Sequence, residues 1–361
     1  MANFRQGLVR ALRTAGYQPV VIAPHDPVAD RRMRDLGVDR LPIEINRAGL
    51  NPLADLRLIA RYRSLLKRLR PAAYLSYTIK PNIYGSFAAA SLGIPALPNV
   101  SGLGTAFIQG GPLQAIVTQL YRIGFARAPV VFFQNEEDRE LFVDRRIVRE
   151  SQARVLPGSG VDLELFTPTP LPVGPPIFLF IGRLLRDKGV AEFIEAARSI
   201  RSTCPDARFQ LLGAVDEGNR TAIRQPEIDS WVAERIVEQL GTTDDVRPFI
   251  AAATAVVLPS YREGLPRSLL EAAAMARPLI AADVPGCRDV VEDGVNGYLC
   301  AVRDPSSLAA AMRRLLQLPR PQQLAMGEAG RRRVQERFSE TLVVRAYLDV
   351  LDSLDGATPG S

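Results

Sequence analysis

Predominantly apolar runs of four to six residues recur along the chain, each followed by a polar loop and then by a longer segment with helical spacing of its apolar positions. The runs lie at 18–23 (QPVVIA), 41–45 (LPIEI), 73–77 (AYLSY), 94–99 (IPALPN), 129–134 (PVVFFQ), 177–181 (IFLFI), 209–212 (FQLL), 255–258 (AVVL) and 278–282 (PLIAA). They are too short to form a helix with a buried face. Their consecutive apolar positions predict strands covered on both sides, as in a parallel sheet.

Between the runs, residues 4–14 put Leu8, Val9 and Leu12 on one helical side and arginines on the other, with Gly16 to end the helix. Residues 53–69 predict an amphipathic helix. Leu56, Ile59, Ala60, Leu66 and Leu69 face inward there, Tyr62 and Leu65 lie on the flanks, and Arg57, Arg61, Arg63, Lys67 and Arg68 face outward. Such a helix packs a domain with a solvated basic face, or presents that face to anionic lipid headgroups. Further helices are predicted up to Leu92, over 113–127, from the acidic turn at 134–138, up to Arg198, and over 266–276, 306–317, 322–338 and 340–351.

Strand, loop and helix in repetition is the pattern of a doubly wound α/β fold. Residues 156–176, with Gly158, Gly160 and five prolines after Leu165, read as a linker between a first domain (1–155) and a second (177–338), leaving 339–361 as a helix and flexible tail. A doubly wound domain opens on a strand and a tight turn, whereas this chain opens on a helix. The first strand of the first domain is therefore read as missing, through a start placed late or a truncation that compromises the protein.

Composition narrows the class. A chain of 361 residues, 47% hydrophobic and 23% charged, describes a folded protein large enough for two cores. Residues 1–150 hold 21 Lys and Arg against 12 Asp and Glu, so the net charge of +6 belongs to the first half. Arginine dominates it, which favours phosphate partners. Cys204, Cys287 and Cys300 stand far apart with no metal-ligand spacing, as free thiols do in a reducing compartment. The opening residues carry no apolar signal core and no run approaches the ~20 residues that span a bilayer, so a cytoplasmic protein is expected. No P-loop, zinc spacing or Gly-x-Ser-x-Gly turn occurs, and the single histidine, His25, reads as a hydrogen-bonded turn residue.

Candidate chemistry gathers around the run at 255–258. Pro259 ends it, a polar loop Ser260-Tyr261-Arg262-Glu263-Gly264 follows, and Pro266 opens a helix that carries Glu271, seven residues beyond Glu263. In a parallel sheet such a loop opens on the edge where ligands bind, and the helix behind it aims amide N–H groups and its positive dipole end there. Two carboxylates beside an anion site suit a polyhydroxylated group attached to a phosphate. That is a nucleotide sugar. The bland alternative is a pair of solvated glutamates. The run at 177–181 leads into Gly182-Arg183-Leu184-Leu185-Arg186-Asp187-Lys188-Gly189, where Arg183 as a planar fork and Lys188 as a mobile point charge would hold a diphosphate. Gly213 follows the run at 209–212, and Val246 precedes the helix that leads into 255–258. In the first domain, the loops TIKPNIYG (78–85, with Lys80) and SGLG (101–104, with Ser101 and Gly102) leave strand ends and should border the cleft.

The segments GRLLRDKG and PSYREGLPRSLLEA, with the downstream VEDGVNG turn, resemble the retaining glycosyltransferases of family 4 with the GT-B fold, whose Glu, seven residues, Glu signature matches Glu263 and Glu271. TIKPNIYG and SGLG are similar to segments of glycosyltransferases that extend capsule or O-antigen units on a lipid carrier. The resemblance implies two Rossmann-like doubly wound domains facing a cleft, with the last helix returning toward the first domain. It also implies transfer of a sugar, N-acetylhexosamine in type, from UDP to a lipid-diphosphate-linked saccharide with retention at the anomeric carbon.

In that reading Glu263 holds the donor sugar and Glu271 the ribose. Arg183, Lys188 and the helix start at Gly264-Leu265 stabilise the leaving diphosphate, and Gly182, Gly213 and Val246 complete the donor site. Lys80, Ser101 and Gly102 lie on the acceptor side. No Asp-x-Asp pair occurs, so metal independence is expected, with no cofactor beyond the donor. The partners implied are the nucleotide sugar, the lipid-linked acceptor and an anionic membrane surface on the inner face of the cell membrane, with no nucleic acid. Two alternatives stand beside this one: a UDP-sugar 2-epimerase of related architecture, disfavoured by the shortage of histidine, and a truncated donor-binding partner subunit without turnover.

Overall fold

The computed structural model describes residues 5–45, 51–103, 111–216 and 218–355. The chain divides into two units, residues 1–159 with 340–361 and residues 160–339. The predicted loop residues 46–50, Gly104 of the SGLG segment and the tail beyond 355 lie outside the described residues.

In the first unit, α1 (Gln6–Thr14) buries Leu8, Val9 and Leu12 as its apolar spacing dictates. Then come β1 (Val20–Ala23), α2 (Pro27–Asp35) and β2 (Asp39–Pro42), and β1 and β2 form a parallel pair. After α3 (Pro52–Leu69), capped by the Asn51 side chain accepting from the Ala54 amide at 3.1 Å, β3 (Tyr74–Tyr77) runs into a π-helical turn (Pro81–Gly85) continuous with α4 (Ser86–Ala90). The predicted loop at 78–85 is therefore largely helical. The unit continues through β4 (Ala96–Val100), α5 (Gly111–Phe125), β5 (Val131–Phe133), α6 (Glu136–Asp144) and β6 (Ala153–Val155). Strands β3, β4, β5 and β6 form a parallel sheet in that order.

Two expectations change here. The run at 129–134 is not the last strand, because Ala153–Val155 pairs beside it; two of its three residues are exposed, so no apolar run announced it. Helix α3 is also turned from the predicted face. Asp55, Leu58, Tyr62 and Leu66 are buried, while Leu56 is 62% exposed. Leu58, Tyr62 and Leu66 form the inward stripe at i, i+4 and i+8, and Asp55 lies on the same side, its carboxylate accepting from Lys80 Nζ at 2.8 Å and Tyr84 Oη at 2.9 Å.

The second unit holds β7 (Ile177–Ile181), α7 (Val190–Arg201), β8 (Arg208–Leu212), α8 (Gln225–Ala233), β9 (Glu238–Gly241) and α9 (Arg247–Ala252). It continues with β10 (Ala255–Leu258), α10 (Arg267–Ala274), β11 (Leu279–Ala282), α11 (Cys287–Val290), β12 (Gly297–Cys300), α12 (Pro305–Gln317) and α13 (Arg320–Arg337). Its six strands are parallel in the order β12-β11-β10-β7-β8-β9. Central β7 and β10 are apolar throughout because helices cover both faces, and Phe178, Phe180, Phe193 and Phe209 fill the core behind them.

The predicted linker belongs mostly to this unit. Val161 and Phe166 are buried in its core, and Leu171 is buried too. A proline-rich segment cannot join a ladder, so its carbonyls need other donors. Arginines supply them: Arg331 Nη1 donates to Phe166 O at 2.7 Å, Arg320 Nη2 to Leu171 O at 2.6 Å, and Arg277 to Thr169 O at 2.9 Å and Pro170 O at 2.8 Å. The last helix, α14 (Glu340–Asp355), belongs to the first unit. Val343, Tyr347 and Val350 pack with Leu8, Leu97 and Phe132, and the Tyr347 hydroxyl accepts from Asn99 Nδ2 at 3.0 Å.

Candidate functional site

Strands β7, β8 and β9 extend one way across the second unit's sheet and β10, β11 and β12 the other, so the order reverses between neighbours β7 and β10. Loops leaving two such strands diverge to opposite faces and open a crevice at the C-terminal edge, where ligands bind in open α/β sheets. The loops here are 182–189 and 259–266.

Backbone bonds fix their position. Gly182 N donates to Leu212 O at 3.0 Å, Leu184 N to Ala214 O at 2.9 Å, Gly213 N to Gly241 O at 2.8 Å and Tyr261 N to Asp187 O at 2.9 Å. Glycines allow the close approach. A Cβ on Gly213 would fall 1.7 Å from Gly182 O, and one on Gly189, whose φ is +75°, would fall 2.1 Å from Pro259 O. Leu265 is buried in the core and Gly264 is buried beside it, and Pro266, whose side chain makes no cap hydrogen bond, precedes the start of α10.

Charged groups converge on this frame. Lys188 Nζ lies 2.5 Å from Glu263 Oε1, joining the two loops by an ion pair whose side chains are 23% and 12% exposed. Glu271, buried one helical turn on, accepts from Arg267 Nε at 2.5 Å, the i,i+4 neighbour on the same face of α10. Burial raises the Glu271 carboxyl above the usual carboxylate range, and Arg267 opposes that shift. Arg183 turns to Asp216 at 3.0 Å and is more than half exposed. Val246 stands farther off, beyond β9, as the residue that starts α9.

Sequence reasoning missed several neighbours. Tyr261 donates to Glu192 Oε1 at 2.7 Å and lies under the Arg303 guanidinium at 4.5 Å; burial and Glu192 push its hydroxyl up to about 12. The buried thiol of Cys287 is raised by burial and by Glu263 and lowered by Lys188, so it lies within reach of that pair's field. The RSLLE spacing could have revealed Arg267. Nothing local marks Asp216.

The remaining predicted residues belong to the first unit. Lys80 pairs with Asp55 at 2.8 Å, with side chains only 12% and 9% exposed. Ser101 is exposed, and Gly102 has φ +145°. What the second unit's edge offers is the start of a helix and three cations, Arg183, Lys188 and Arg267, each paired with a carboxylate. That set can neutralise a diphosphate and accept hydrogen bonds from hydroxyls on either side of it.

A family model described as Glycosyl transferases group 1 matches residues 175–318, and one described as Glycosyl transferase 4-like domain matches residues 1–159. Among curated proteins, the N,N'-diacetylbacillosaminyl-diphospho-undecaprenol alpha-1,3-N-acetylgalactosaminyltransferase of Campylobacter jejuni is 27% identical, over 97% of this chain and 95% of its own. The UDP-Gal:alpha-D-GlcNAc-diphosphoundecaprenol alpha-1,3-galactosyltransferase of Escherichia coli is 25% identical, over 73% and 71%. Among solved structures, Anabaena HepE in complex with UDP-glucose matches with a TM-score of 0.80 at 18% identity, covering 98% of this chain and 96% of that one. Sucrose-phosphate synthase from Thermosynechococcus elongatus matches with a TM-score of 0.78 at 21% identity, covering 98% and 93%. At such identities the likeness shows the fold, GT-B with two Rossmann-like domains.

Proposed function

The chain belongs to the glycosyltransferases, with a glycosyl transferase 4-like domain followed by a group 1 domain, and we propose that it moves a sugar from a UDP-sugar, with retention, to a lipid-diphosphate-linked saccharide. The observation that carries this reading is the Lys188–Glu263 pair at the strand-order reversal of the second unit. A diphosphate entering the crevice takes Lys188 and Arg183 as its cations. Glu263, released from Lys188, then accepts from hydroxyls of the donor sugar, and Glu271 accepts from the ribose.

As the glycosidic bond breaks, negative charge grows on the departing diphosphate. Each charged hydrogen bond from Arg183, Lys188 or the start of α10 is worth about 1.5–3 kcal/mol to that state. The acceptor hydroxyl gives its proton to a departing phosphate oxygen. The sequence has no Asp-x-Asp pair, and charge compensation is assigned to these cations with no further cofactor. An undecaprenyl-diphosphate-linked acceptor is supported by the names of both relatives that span most of the chain, a UDP-linked donor by the Escherichia coli one, and an N-acetylhexosamine donor by the Campylobacter jejuni one alone. Ser101 and Gly102 are the acceptor-side candidates, with Lys80 ordering the β3 exit through Asp55. No described helix is long and apolar enough to cross a membrane. We assign the enzyme a peripheral position on the inner face of the cell membrane, where it extends a surface polysaccharide such as capsule or O-antigen.

The test is transfer of radiolabelled sugar from UDP-N-acetylhexosamines to lipid extracted from membranes. Transfer should occur with the unaltered protein and fall at least tenfold, by about 1.4 kcal/mol or more, in Arg183→Ala and Glu263→Ala. Unchanged transfer in both variants removes the site assignment, and product sugar formed without acceptor favours an isomerase instead.

A further inference from the structure

Tyr261 belongs to the loop that carries Glu263, and its contacts reach back to the element that carries Lys188. The turn Arg186–Lys188 is fixed first, with Arg186 N donating to Thr221 O at 2.7 Å and Lys188 N to Leu185 O at 3.1 Å. Onto this base the loop after β10 is pinned at three points. Gly189 lies so close to Pro259 that a Cβ on it would fall 2.1 Å from Pro259 O. Tyr261 N donates to Asp187 O at 2.9 Å. The Tyr261 hydroxyl then crosses to α7 and donates to Glu192 Oε1 at 2.7 Å. The first two pins are made by the backbone and ask little of the side chain at 261. The third depends on a phenol there.

Glu192 sits in the first turn of α7, where the helix dipole favours an acid. Its other oxygen, Oε2, is buried and meets no donor among the described residues. A carboxylate so placed relies on the hydroxyl it has, because a bond to a charged acceptor is strong and its loss from a buried site is costly. Burial and Glu192 push that hydroxyl up to about 12, so it remains a donor throughout the neutral range. The Arg303 guanidinium covers the ring at 4.5 Å and holds it against turning outward. Two residues on, Glu263 meets Lys188, so a tilt of Tyr261 is passed through two peptide units to the carboxylate assigned to the donor sugar. Anchoring a loop needs none of this: a plain ring on the same backbone would fill the space without burying an acid.

We propose that Tyr261, held by Glu192, is a positioning residue that sets the Glu263 carboxylate for the sugar half of the donor, and so gives the site its selectivity between a nucleotide sugar and the bare nucleotide. The inference rests on the donor-site reading above and deepens it, since the acid that meets the sugar is aimed by two residues that do not touch it. The UDP half is taken by Arg183, Lys188 and Glu271, which stand on 182–189 and on α10 rather than on the stretch that the phenol holds.

Calorimetric titration with UDP and with UDP-N-acetylglucosamine, UDP-N-acetylgalactosamine, UDP-galactose and UDP-glucose tests it. The readout is the affinity for the best-bound sugar nucleotide divided by that for UDP. Tyr261→Phe and Glu192→Ala should each lower this ratio about tenfold, the size of a lost hydrogen bond to a charged group, with UDP itself bound within about twofold of the unaltered protein. Glu192→Gln keeps an acceptor for the hydroxyl and should restore most of the ratio. Tyr261→Phe combined with Glu192→Ala should lower it no further than either alone. A merely structural contact would lower the melting temperature and leave the ratio where it was, and that result overturns the proposal. Equal weakening of UDP and sugar nucleotide overturns it too. With no nucleotide present, amides 260–264 should exchange faster in Tyr261→Phe; unchanged exchange refutes the clasp whatever the site binds. Absence of UDP binding in the unaltered protein, with the faster exchange still seen in the variant, would fail the donor-site reading and take this inference with it.

Discussion

The Lys188–Glu263 pair makes a prediction about affinity that a passive binding site would not. Lys188 is held 2.5 Å from Glu263, with side chains 23% and 12% exposed. Exposed pairs are worth about 0.2–1 kcal/mol and breaking a buried one costs about 3–5. This pair lies between, and after discounting for solvent on the lysine we take about 1–2 kcal/mol. A diphosphate that captures Lys188 must first overcome that attraction. Glu263→Gln removes the competitor while keeping the side chain's shape, and should therefore tighten UDP binding by about 5–30-fold. Lys188→Met removes a charged donor to phosphate and should weaken UDP by about 1.5–3 kcal/mol, roughly 10–150-fold. Titration calorimetry with UDP on both variants and on the double variant gives the coupling directly. Transfer should fall in both, because Glu263 holds the sugar. If Glu263→Gln weakens UDP as much as Lys188→Met does, the carboxylate supports the diphosphate rather than competing with it, and the exchange of partners is wrong.

Other consequences can be checked separately. Arg277 is wholly buried and donates to the carbonyls of Thr169, Pro170, Ile250 and Ala251, so Arg277→Met should destabilise the second unit by about 4–6 kcal/mol in urea denaturation, and a change under about 1 kcal/mol would contradict its clamping role. The Glu271 carboxyl is raised in the folded state by burial, so its contribution to stability is full below the ordinary carboxylate value and is lost as pH rises through the raised one. Arg267→Met removes the opposing charge and should push that loss to higher pH and deepen it, as read from denaturation midpoints against pH; adding Glu271→Gln should flatten the profile, and an unchanged profile in Arg267→Met would refute the coupling. Gly189→Ala meets both a φ of +75° and Pro259 O at 2.1 Å, whereas Gly294→Ala meets a φ of +76° and open space. Melting should show the first costing more than the roughly 1–2 kcal/mol of the left-handed backbone alone, and only the first should weaken UDP; equal effects would show that the loops are not pressed together.

The parts of the fold that could be read in advance are those buried on both faces. Ile177–Ile181 and Ala255–Leu258 are apolar at every position because helices cover both sides of the sheet centre, and the paired glutamates stood out beside them. Edge strands gave no such signal: Ala153–Val155 exposes Arg154, and Glu238–Gly241 is half-buried along its length. The α3 face was misjudged because Leu56 was assigned to the inner stripe, which Leu58, Tyr62 and Leu66 form; Asp55 lies on that stripe and is buried with Lys80 and Tyr84, which lie 25 and 29 residues away. The same distance in sequence hid Lys80's partner. Prolines in 160–176 suggested a free linker, yet buried Val161, Phe166 and Leu171 and distant arginines tie it to the second unit. At the site, loop composition and order were legible. Which cation takes which carboxylate was not, since Lys188 and Glu263 meet across 75 residues.

The most direct measurement is amide hydrogen exchange along the whole chain with and without UDP. A donor seated where the strand order reverses should slow exchange in 182–189 and 260–267, with little change at the opposite sheet edge, where Arg201, Arg208, Val232 and Arg235 line a groove. Slowing confined to that groove, or none in the two loops at saturating UDP, would contradict a donor site built on Lys188, Glu263 and Glu271.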